Sequence, residues 1–428
     1  MHHSVTRRLC LFPSRQFRQV TSIRINRLGH HGDGIADGPV FAPLTLPGED
    51  IEGEIANNRI AAPRILTPSS DRVKPPCPHF KACGGCALQH AADPFVEAWK
   101  ADVVRDALSA HGLDAPIRQI HTSPARSRRR ATLSGKRTKK GALVGFHARG
   151  SDVIIDIPNC TLLRPELIAM LPALQDLSVI GASRKAEIAI TLTASEDGAD
   201  ILVKGGKPLD GPLRVELAAF AVKHDLARLV WDDELVAMER PPSQRFDGIA
   251  VVPPPGAFLQ ATKEGEAALL NAVQQAVGPA KQIIDLFAGC GTFALPLAKS
   301  AELHAVESVP EMLTAMDAGW RKAQGLKKLT TEARDLFHRP ILPIELRNYQ
   351  AAVIDPPRAG ADAQIAEIAK GGPPRLAMVS CNPVTFAQDA KTLIQAGYVL
   401  NWIDVVDQFR WSPHVELAAQ FTRDHMPG

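Results

Sequence analysis

The spacing of apolar and polar positions changes rhythm along this chain, and the changes divide it. After Val20, residues Thr21-Ser22-Ile23-Arg24-Ile25-Asn26-Arg27-Leu28 alternate polar and apolar, the two-residue period of a half-buried strand. Val40-Phe41-Ala42, Asp50-Ile51-Glu52-Gly53-Glu54-Ile55 and Arg64-Ile65-Leu66 follow as short strands, with turns at Gly32-Asp33-Gly34 and Leu46-Pro47-Gly48-Glu49. Short strands punctuated by Gly and Pro predict a small β-barrel of OB type. The Pro-rich stretch from Pro68 to Pro78 breaks the pattern. From about Gln89 to Arg240 the reading is mixed α+β. It has a helix over 95–109 and strands over 143–146, 153–156, 188–192 and 200–203.

Pro241-Pro242 and Pro253-Pro254-Pro255 bracket the passage to a third rhythm. Strand 283–286 is followed by helix 292–299. Strand 303–306 ends at Glu307 and precedes helix 310–324. Strand 351–354 ends at Asp355. A last apolar run, Leu376-Ala377-Met378-Val379, leads into Ser380-Cys381-Asn382-Pro383 and a helix through Gln395. Strands alternating with helices predict an α/β fold with a doubly wound parallel sheet. There are no internal repeats.

Ligands gather at the C-terminal ends of strands in such sheets. A thiol at that place serves as a nucleophile if its surroundings activate it. It is as readily a small buried core residue, so Cys381 alone decides nothing. Asp285-Leu286-Phe287-Ala288-Gly289-Cys290-Gly291-Thr292 reads as strand, glycine turn and helix, where a ligand can approach the backbone closely. Glu307 closes the second strand, where an acid can accept hydrogen bonds from both hydroxyls of a ribose. No third glycine completes a dinucleotide fingerprint, so S-adenosylmethionine fits better than NAD.

Composition narrows the class. With 428 residues, two or three domains are expected. At 45% hydrophobic and 22% charged residues the chain is an ordinary globular one, and no apolar run reaches the length of a membrane span. A net charge of +3 is too small to argue for any partner. Locally, Arg126, Arg128, Arg129, Arg130, Lys136, Arg137, Lys139 and Lys140 crowd one stretch, which suits phosphate contacts with RNA. Seven cysteines, an odd number in a long chain, exclude a disulfide scaffold and point to the cytoplasm. The start, with Arg7, Arg8, Arg15 and Arg18 and no acid before Asp33, superficially suits a transit peptide. Residues 1–18 are read instead as a basic disordered tail. Cys77, Cys83 and Cys86 share one Pro/Gly loop, and Cys160 follows much later. The five-residue gap between Cys77 and Cys83 leans toward an iron–sulfur cluster rather than zinc.

Together these segments resemble the RNA uridine-5 methyltransferases, specifically the iron–sulfur branch that acts on 23S rRNA. The residues that carry the resemblance are Asp71-Arg72-Val73, Cys77-Pro78-His79-Phe80, Cys83-Gly84-Gly85-Cys86-Ala87-Leu88-Gln89-His90, Asp355-Pro356-Pro357-Arg358-Ala359-Gly360, Ser380-Cys381-Asn382-Pro383 and His414-Val415-Glu416. The resemblance implies a TRAM β-barrel over 19–67, a central α+β domain with the cysteine loop over 68–240, and a Rossmann-like class I methyltransferase domain over 241–428, with the tail before them. It implies a [4Fe-4S] cluster on Cys77, Cys83, Cys86 and Cys160, S-adenosylmethionine at Gln260, Phe287, Thr292, Glu307 and Asp355, a nucleophile in Cys381 and a base in Glu416. Asp335 is a looser candidate near the adenine. The sequence departs from the family at Thr262, where Asn is usual, and at Phe287, where Tyr is frequent. The expected partner is RNA, foremost 23S rRNA, with tRNA the alternative, no membrane, and a monomer as default. Two other classes compete: an iron–sulfur RNA methylthiotransferase with a TRAM domain, and a non-catalytic RNA-binding or chaperone protein. The first needs a different cysteine spacing, and neither needs both Cys381 and Glu416.

Overall fold

The computed structural model describes residues 20–424 of the chain. Cys10 and the basic stretch read as a tail lie outside the described residues. The chain divides at Arg72–Val73 into two compact units.

In the first unit, the alternating run after Val20 forms two strands rather than one, Val20–Arg24 and Arg27–Leu28. The break falls where the chain changes partners: the Ile25 N–H bonds to Glu49 and the Asn26 N–H to Ile35. Val20–Arg24 pairs with Asp50–Glu54, which pairs with Arg64–Thr67; Arg27–Leu28, Gly34–Ala36 and Val40–Ala42 make a second small sheet. Ile25, Ala36, Val40, Ala42, Ile51 and Ile60 form the apolar centre. The fully buried Glu49 accepts from Arg72 and from the Leu46 and Ser69 N–H groups. Burial opposes its ionisation, but these donors hold its carboxyl below the usual range.

The second unit holds two large sheets. One has seven strands, all but one pair antiparallel, running from Ile154–Asp156 through Arg130–Arg137 and Ile188–Ser195 to Glu234–Met238. Helices Leu171–Gly181 and Gly211–Lys223 bury Leu174, Leu177, Leu217 and Phe220 against it. The other sheet has eight strands. In spatial order they are Leu329–Ala333, Glu302–Glu307, Gln282–Leu286, Ala351–Ile354, Arg375–Ser380, Glu416–Thr422, Val399–Asp407 and Ile117–Thr122. The first five are parallel, and Glu416–Thr422 enters antiparallel to both neighbours. Apolar side chains fill both faces of this sheet, as the continuous runs Ala351–Ile354 and Leu376–Val379 require.

The second unit differs from the sequence reading in three further places. The helix expected over 292–299 is only Ala294–Leu297, because Gly289 and Gly291 (φ +54° and +90°) prolong the turn and Pro296 lacks an N–H. Ile117–Thr122, in the stretch assigned to a central domain, is the eighth strand of the catalytic-type sheet. The basic cluster does not form one exposed patch. Arg129 is fully buried, and Arg128 and Arg130 bond to the backbone of Arg130 and Gly256. Arg126, Lys139 and Lys140 remain exposed.

Helix Asp93–Ser109 carries Lys100, fully buried, whose Nζ meets Asp407 Oδ1 at 2.5 Å and the Phe409 carbonyl at 3.3 Å. Breaking a buried pair leaves an uncompensated charge, which costs roughly 3–5 kcal/mol. Lys100→Ala should therefore lower the urea midpoint of unfolding by an amount equivalent to that loss; an unchanged midpoint would remove the pair from the account of stability.

Candidate active site

The antiparallel register of Arg375–Ser380 with Glu416–Thr422 pairs Ser380 with Leu417. The next positions, Cys381 and Glu416, therefore stand opposite each other at the sheet's edge. Ile354 pairs with Met378 on the other side, so Asp355 leaves its strand beside them. The two residues after Cys381 hold it there. Asn382 caps helix Pro383–Gln395, accepting from the Val384 N–H, while its Nδ2 donates to the Arg358 carbonyl; Pro383 takes the first helical position, where no N–H is needed. The short segment thus ties Cys381 to the Pro356-Pro357-Arg358 loop.

A cavity of about 500 Å³ opens over these ends. That is the size of a small-molecule site. Phe287, Thr292, Glu307, Asp335, Asp355, Cys381 and Glu416, all singled out from the sequence, line it. Gln260 does not line it, but its Nε2 donates to Asp355 Oδ2 at 3.3 Å. Phe258, Phe409 and His414 form more of the wall. Phe258 is 59% exposed, and the Arg128 guanidinium lies 5.8 Å from the Phe409 ring centre.

The glycine turn has a strained backbone: Phe287, not a glycine, takes φ +63°. Its ring meets Phe337 with centres 5.5 Å apart. Glu307 Oε2 accepts the Gly289 N–H at 3.0 Å, and Oε1 accepts Ser308 and Val309 N–H groups. The acid at the second strand end therefore braces the first turn. Asp335 accepts the Phe337 N–H and pairs with His338, whose bond holds its carboxyl below the usual range.

Charge at the strand ends is costly. Burial pushes the carboxyls of Asp285, Asp355 and Glu416 upward, and Asp355 raises the other two further. Gln408 opposes this at Glu416, donating its Nε2 to Glu416 Oε2 at 3.0 Å. Burial first, then Glu416 and Asp355, push the Cys381 thiol up to about 11, while Arg358 pulls it down. The same burial that favours the protonated thiol pushes the Glu416 carboxyl beside it up to about 8. Cys290, without an assigned role, is a buried wall residue whose thiol burial pushes up to about 12.

The sequence reading missed Gln408. The signal was present as polar residues interrupting the apolar run Ile403–Phe409, at Asp404, Asp407 and Gln408. It also missed Asp285, fully buried beneath the site.

Cys77, Cys83, Cys86 and Cys160 line one small cavity with His79, Phe80 and Gln89. Among the described residues, no set of three or more His, Cys, Asp or Glu side chains is gathered as a metal-holding group. The Gly85 N–H donates to Cys83 Sγ at 3.3 Å and the Leu162 N–H to Cys160 Sγ at 3.4 Å. Burial pushes Cys86 up to about 12, and Cys83 and Cys160 upward, with the neighbouring sulfurs adding to it. Four thiols sharing a cavity with N–H donors aimed at sulfur fit a group that takes thiolates. Gly84 allows the loop its seat: a Cβ there would lie 2.8 Å from the His147 carbonyl oxygen.

Comparisons with known proteins agree on one family. The family model for tRNA (uracil-5-)-methyltransferase matches residues 320–423. An uncharacterised RNA methyltransferase of Caulobacter vibrioides is 43% identical over 416 residues, 94% of this chain and 99% of that protein. The 23S rRNA (uracil(1939)-C(5))-methyltransferase of Shewanella piezotolerans is 32% identical over 432 residues, 95% and 97% of the two chains. The crystal structure of the Pyrococcus abyssi tRNA (uracil-54, C5)-methyltransferase with S-adenosyl-L-homocysteine has a TM-score of 0.74 at 21% identity, covering 94% of this chain and 99% of that one. That likeness gives the class I methyltransferase fold. With site, fold and near full-length relatives in accord, this chain belongs to the RNA (uracil-5-)-methyltransferase family.

Proposed function

We propose that this protein methylates carbon-5 of a uridine in 23S rRNA, with S-adenosylmethionine as donor, Cys381 as nucleophile and Glu416 as base. The observation that carries the reading is the opposition of Cys381 and Glu416 on paired strand ends at the floor of one cavity. Large-subunit RNA is favoured over tRNA because the full-length likeness at 32% is to a 23S rRNA enzyme, whereas the likeness to the tRNA enzyme is one of fold.

The donor, when bound, supplies an electrophilic methyl group. Phe287, Thr292 and Glu307 around the glycine turn, with Gln260 and Asp355, are the residues that would hold it. Buried acids in this wall favour a cationic guest, as the sulfonium is. Carbon-5 of uracil is a poor nucleophile. Cys381 attacks carbon-6 as the thiolate, and the electron pair moves onto the ring as an enolate, nucleophilic at carbon-5. After carbon-5 has taken the methyl group, Glu416 accepts the carbon-5 proton. The Cys381–carbon-6 bond then breaks and the thiolate leaves. Burial pushes the Cys381 thiol up; its proton passes to solvent as the thiolate forms, so that Glu416 is free to take the carbon-5 proton. The target base reaches the cavity unstacked, and the exposed Phe258 face supports a base beside it.

In this reading residues 19–67 are a TRAM-like RNA-binding barrel, residues 68–240 a central α+β domain and residues 241–428 the methyltransferase domain. Cys77, Cys83, Cys86 and Cys160 would hold a [4Fe-4S] cluster. The methyl transfer is redox-neutral, so the cluster supplies no electrons to it. Its place is structural: the Ala87 and Leu88 N–H groups, just past Cys86, both donate to the Trp411 carbonyl in the loop leading to Glu416. The protein acts as a cytoplasmic monomer in this reading. No helix among the described residues is long and apolar enough to cross a membrane.

Purified protein, given RNA from a strain lacking the gene, should create one 5-methyluridine in large-subunit rRNA, mapped by mass spectrometry. Cys381→Ala should abolish this while RNA affinity stays within about threefold. Glu416→Gln should slow turnover roughly 100-fold or more and leave a denaturant-resistant protein–RNA adduct. Wild-type activity of the Cys381→Ala protein, or product only in tRNA, would refute the corresponding assignment.

Protein purified without oxygen should carry iron and acid-labile sulfide, about four of each per chain. Cys86→Ser should lose most of both and lower the unfolding midpoint. Wild-type protein free of iron under these conditions would rule out the cluster.

A further inference from the structure

Gln408 stands one residue beyond the Val399–Asp407 strand and is 1% exposed. Its Oε1 accepts the Ala261 backbone N–H at 2.7 Å. A backbone N–H only donates, so this bond settles which end of the amide is oxygen. The amide nitrogen then faces the other way, and it donates to Gln260 Oε1 at 2.5 Å and Glu416 Oε2 at 3.0 Å. That fixes the next amide in turn. With Oε1 turned to Gln408, Gln260 presents Nε2 to Asp355. One side chain therefore sets the orientation of a second amide and ties down the carboxylate opposite Cys381.

The site is built around this residue. Gly265 in helix Lys263–Val277 leaves it room, since a Cβ there would lie 2.6 Å from Gln408 Cβ. Thr262 caps that helix, accepting the Gly265 N–H at 2.9 Å, and shares a 2.7 Å bond with Ser123. The Ala261 carbonyl accepts the Arg129 N–H, and Arg129 also donates to the Gln260 carbonyl and pairs with Glu266 at 2.5 Å. On its other side, Asp407 is pinned by Lys100.

We propose that Gln408 is a positioning residue for methyl transfer, holding the Glu416 carboxyl oriented toward the site and holding the Gln260 amide in a single orientation. The proposal rests on the reading of Glu416 as the base. The titratable and charged groups that line the cavity with Glu416 include Asp355, Cys381, Arg358 and His414, while the buried pairs Arg129–Glu266 and Lys100–Asp407 hold the segments on which Gln260 and Gln408 lie. Burial and the charge of Asp355 push Glu416 up, and the bond from Gln408 pulls it back. A base works only when ionised, so activity falls as pH drops through its pKa. Removing Gln408 raises that pKa, and the loss then begins at higher pH.

The test compares full-length wild type, Gln408→Leu and Gln408→Glu in steady-state methylation of RNA across pH, with Glu416→Gln in parallel. Gln408→Leu should lower kcat about 10–100-fold. The KM for S-adenosylmethionine should change less than about threefold, the acid limb should move up by about one unit, and more covalent protein–RNA adduct should be present at steady state. Gln408→Glu keeps the shape and the acceptor for Ala261 but turns a carboxylate toward Glu416. It should move the acid limb at least as far, and it carries the test if the leucine variant does not fold. Wild-type pH profiles in the folded variants, or a KM rise with no shift of the acid limb, overturn the role of Gln408. If Glu416→Gln accumulates adduct in that case, the base reading stands and only Gln408 fails. If Glu416→Gln turns over normally, both are overturned.

Discussion

The strand register that pairs Ser380 with Leu417 is the constraint on which the rest of the structure depends. A shift by one residue would swap the two buried faces of the Glu416–Thr422 strand, sending Leu417, Ala419 and Phe421 into the other core layer, and would carry Glu416 away from Cys381. The register is held from both sides. Glu416–Thr422 lies between Arg375–Ser380 and Val399–Asp407 and buries Leu417, Ala419 and Phe421 on one face. The opposition of Cys381 and Glu416 is thus a consequence of core packing: the burial of those side chains fixes where the thiol and the carboxyl stand.

That arrangement puts acids where water is scarce. Burial makes Asp285, Asp355, Glu416 and Cys381 harder to ionise; Asp355 adds to this at the other three, and Glu416 adds to it at Cys381. Such a site holds its thiol protonated at rest and gains by admitting a cation. The donor's positive sulfonium would relieve it, and the neutral product would not. The same acids need hydrogen-bond donors that carry no charge, which is the part played by the amides of Gln260 and Gln408. The loop that carries Gln408 is anchored well beyond the cavity, by Lys100 at one end and by the backbone after Cys86 at the other. The cysteine loop and the active site are joined through main-chain bonds rather than through any shared chemistry.

Much of this could be read from residue order. The doubly wound rhythm after Gln282, Glu307 at the second strand end and Cys381 at a later one were all visible, because period and punctuation are local properties. Their convergence in one cavity was carried by the parallel topology. The hidden features depended on long-range pairing. Ile117–Thr122 joins the catalytic sheet across more than two hundred and fifty residues of chain, and nothing in its local pattern, alternating Arg118 and Gln119 with Ile117 and Ile120, marks it as an edge strand there. Arg129 stood in a basic run that looked like a phosphate-binding surface, yet its guanidinium is interior, paired with Glu266. Charge type can be counted in a sequence, but burial cannot. Gln408 escaped because its role is relational: its significance lies in three partners, two of which, Gln260 and Ala261, come from a distant segment.

The proposed methyl transfer turns on a covalent bond between Cys381 and carbon-6 of a uracil, resolved by loss of the carbon-5 proton. Fluorine at carbon-5 cannot leave as a cation, so RNA containing 5-fluorouridine halts the sequence after methylation. The direct measurement is peptide mapping by mass spectrometry of wild-type protein incubated with such RNA and S-adenosylmethionine. The account predicts one modified peptide, containing Cys381 and bearing a methylated fluorouridine nucleotide. Methyl transfer with no adduct, or an adduct on any other cysteine, would contradict it.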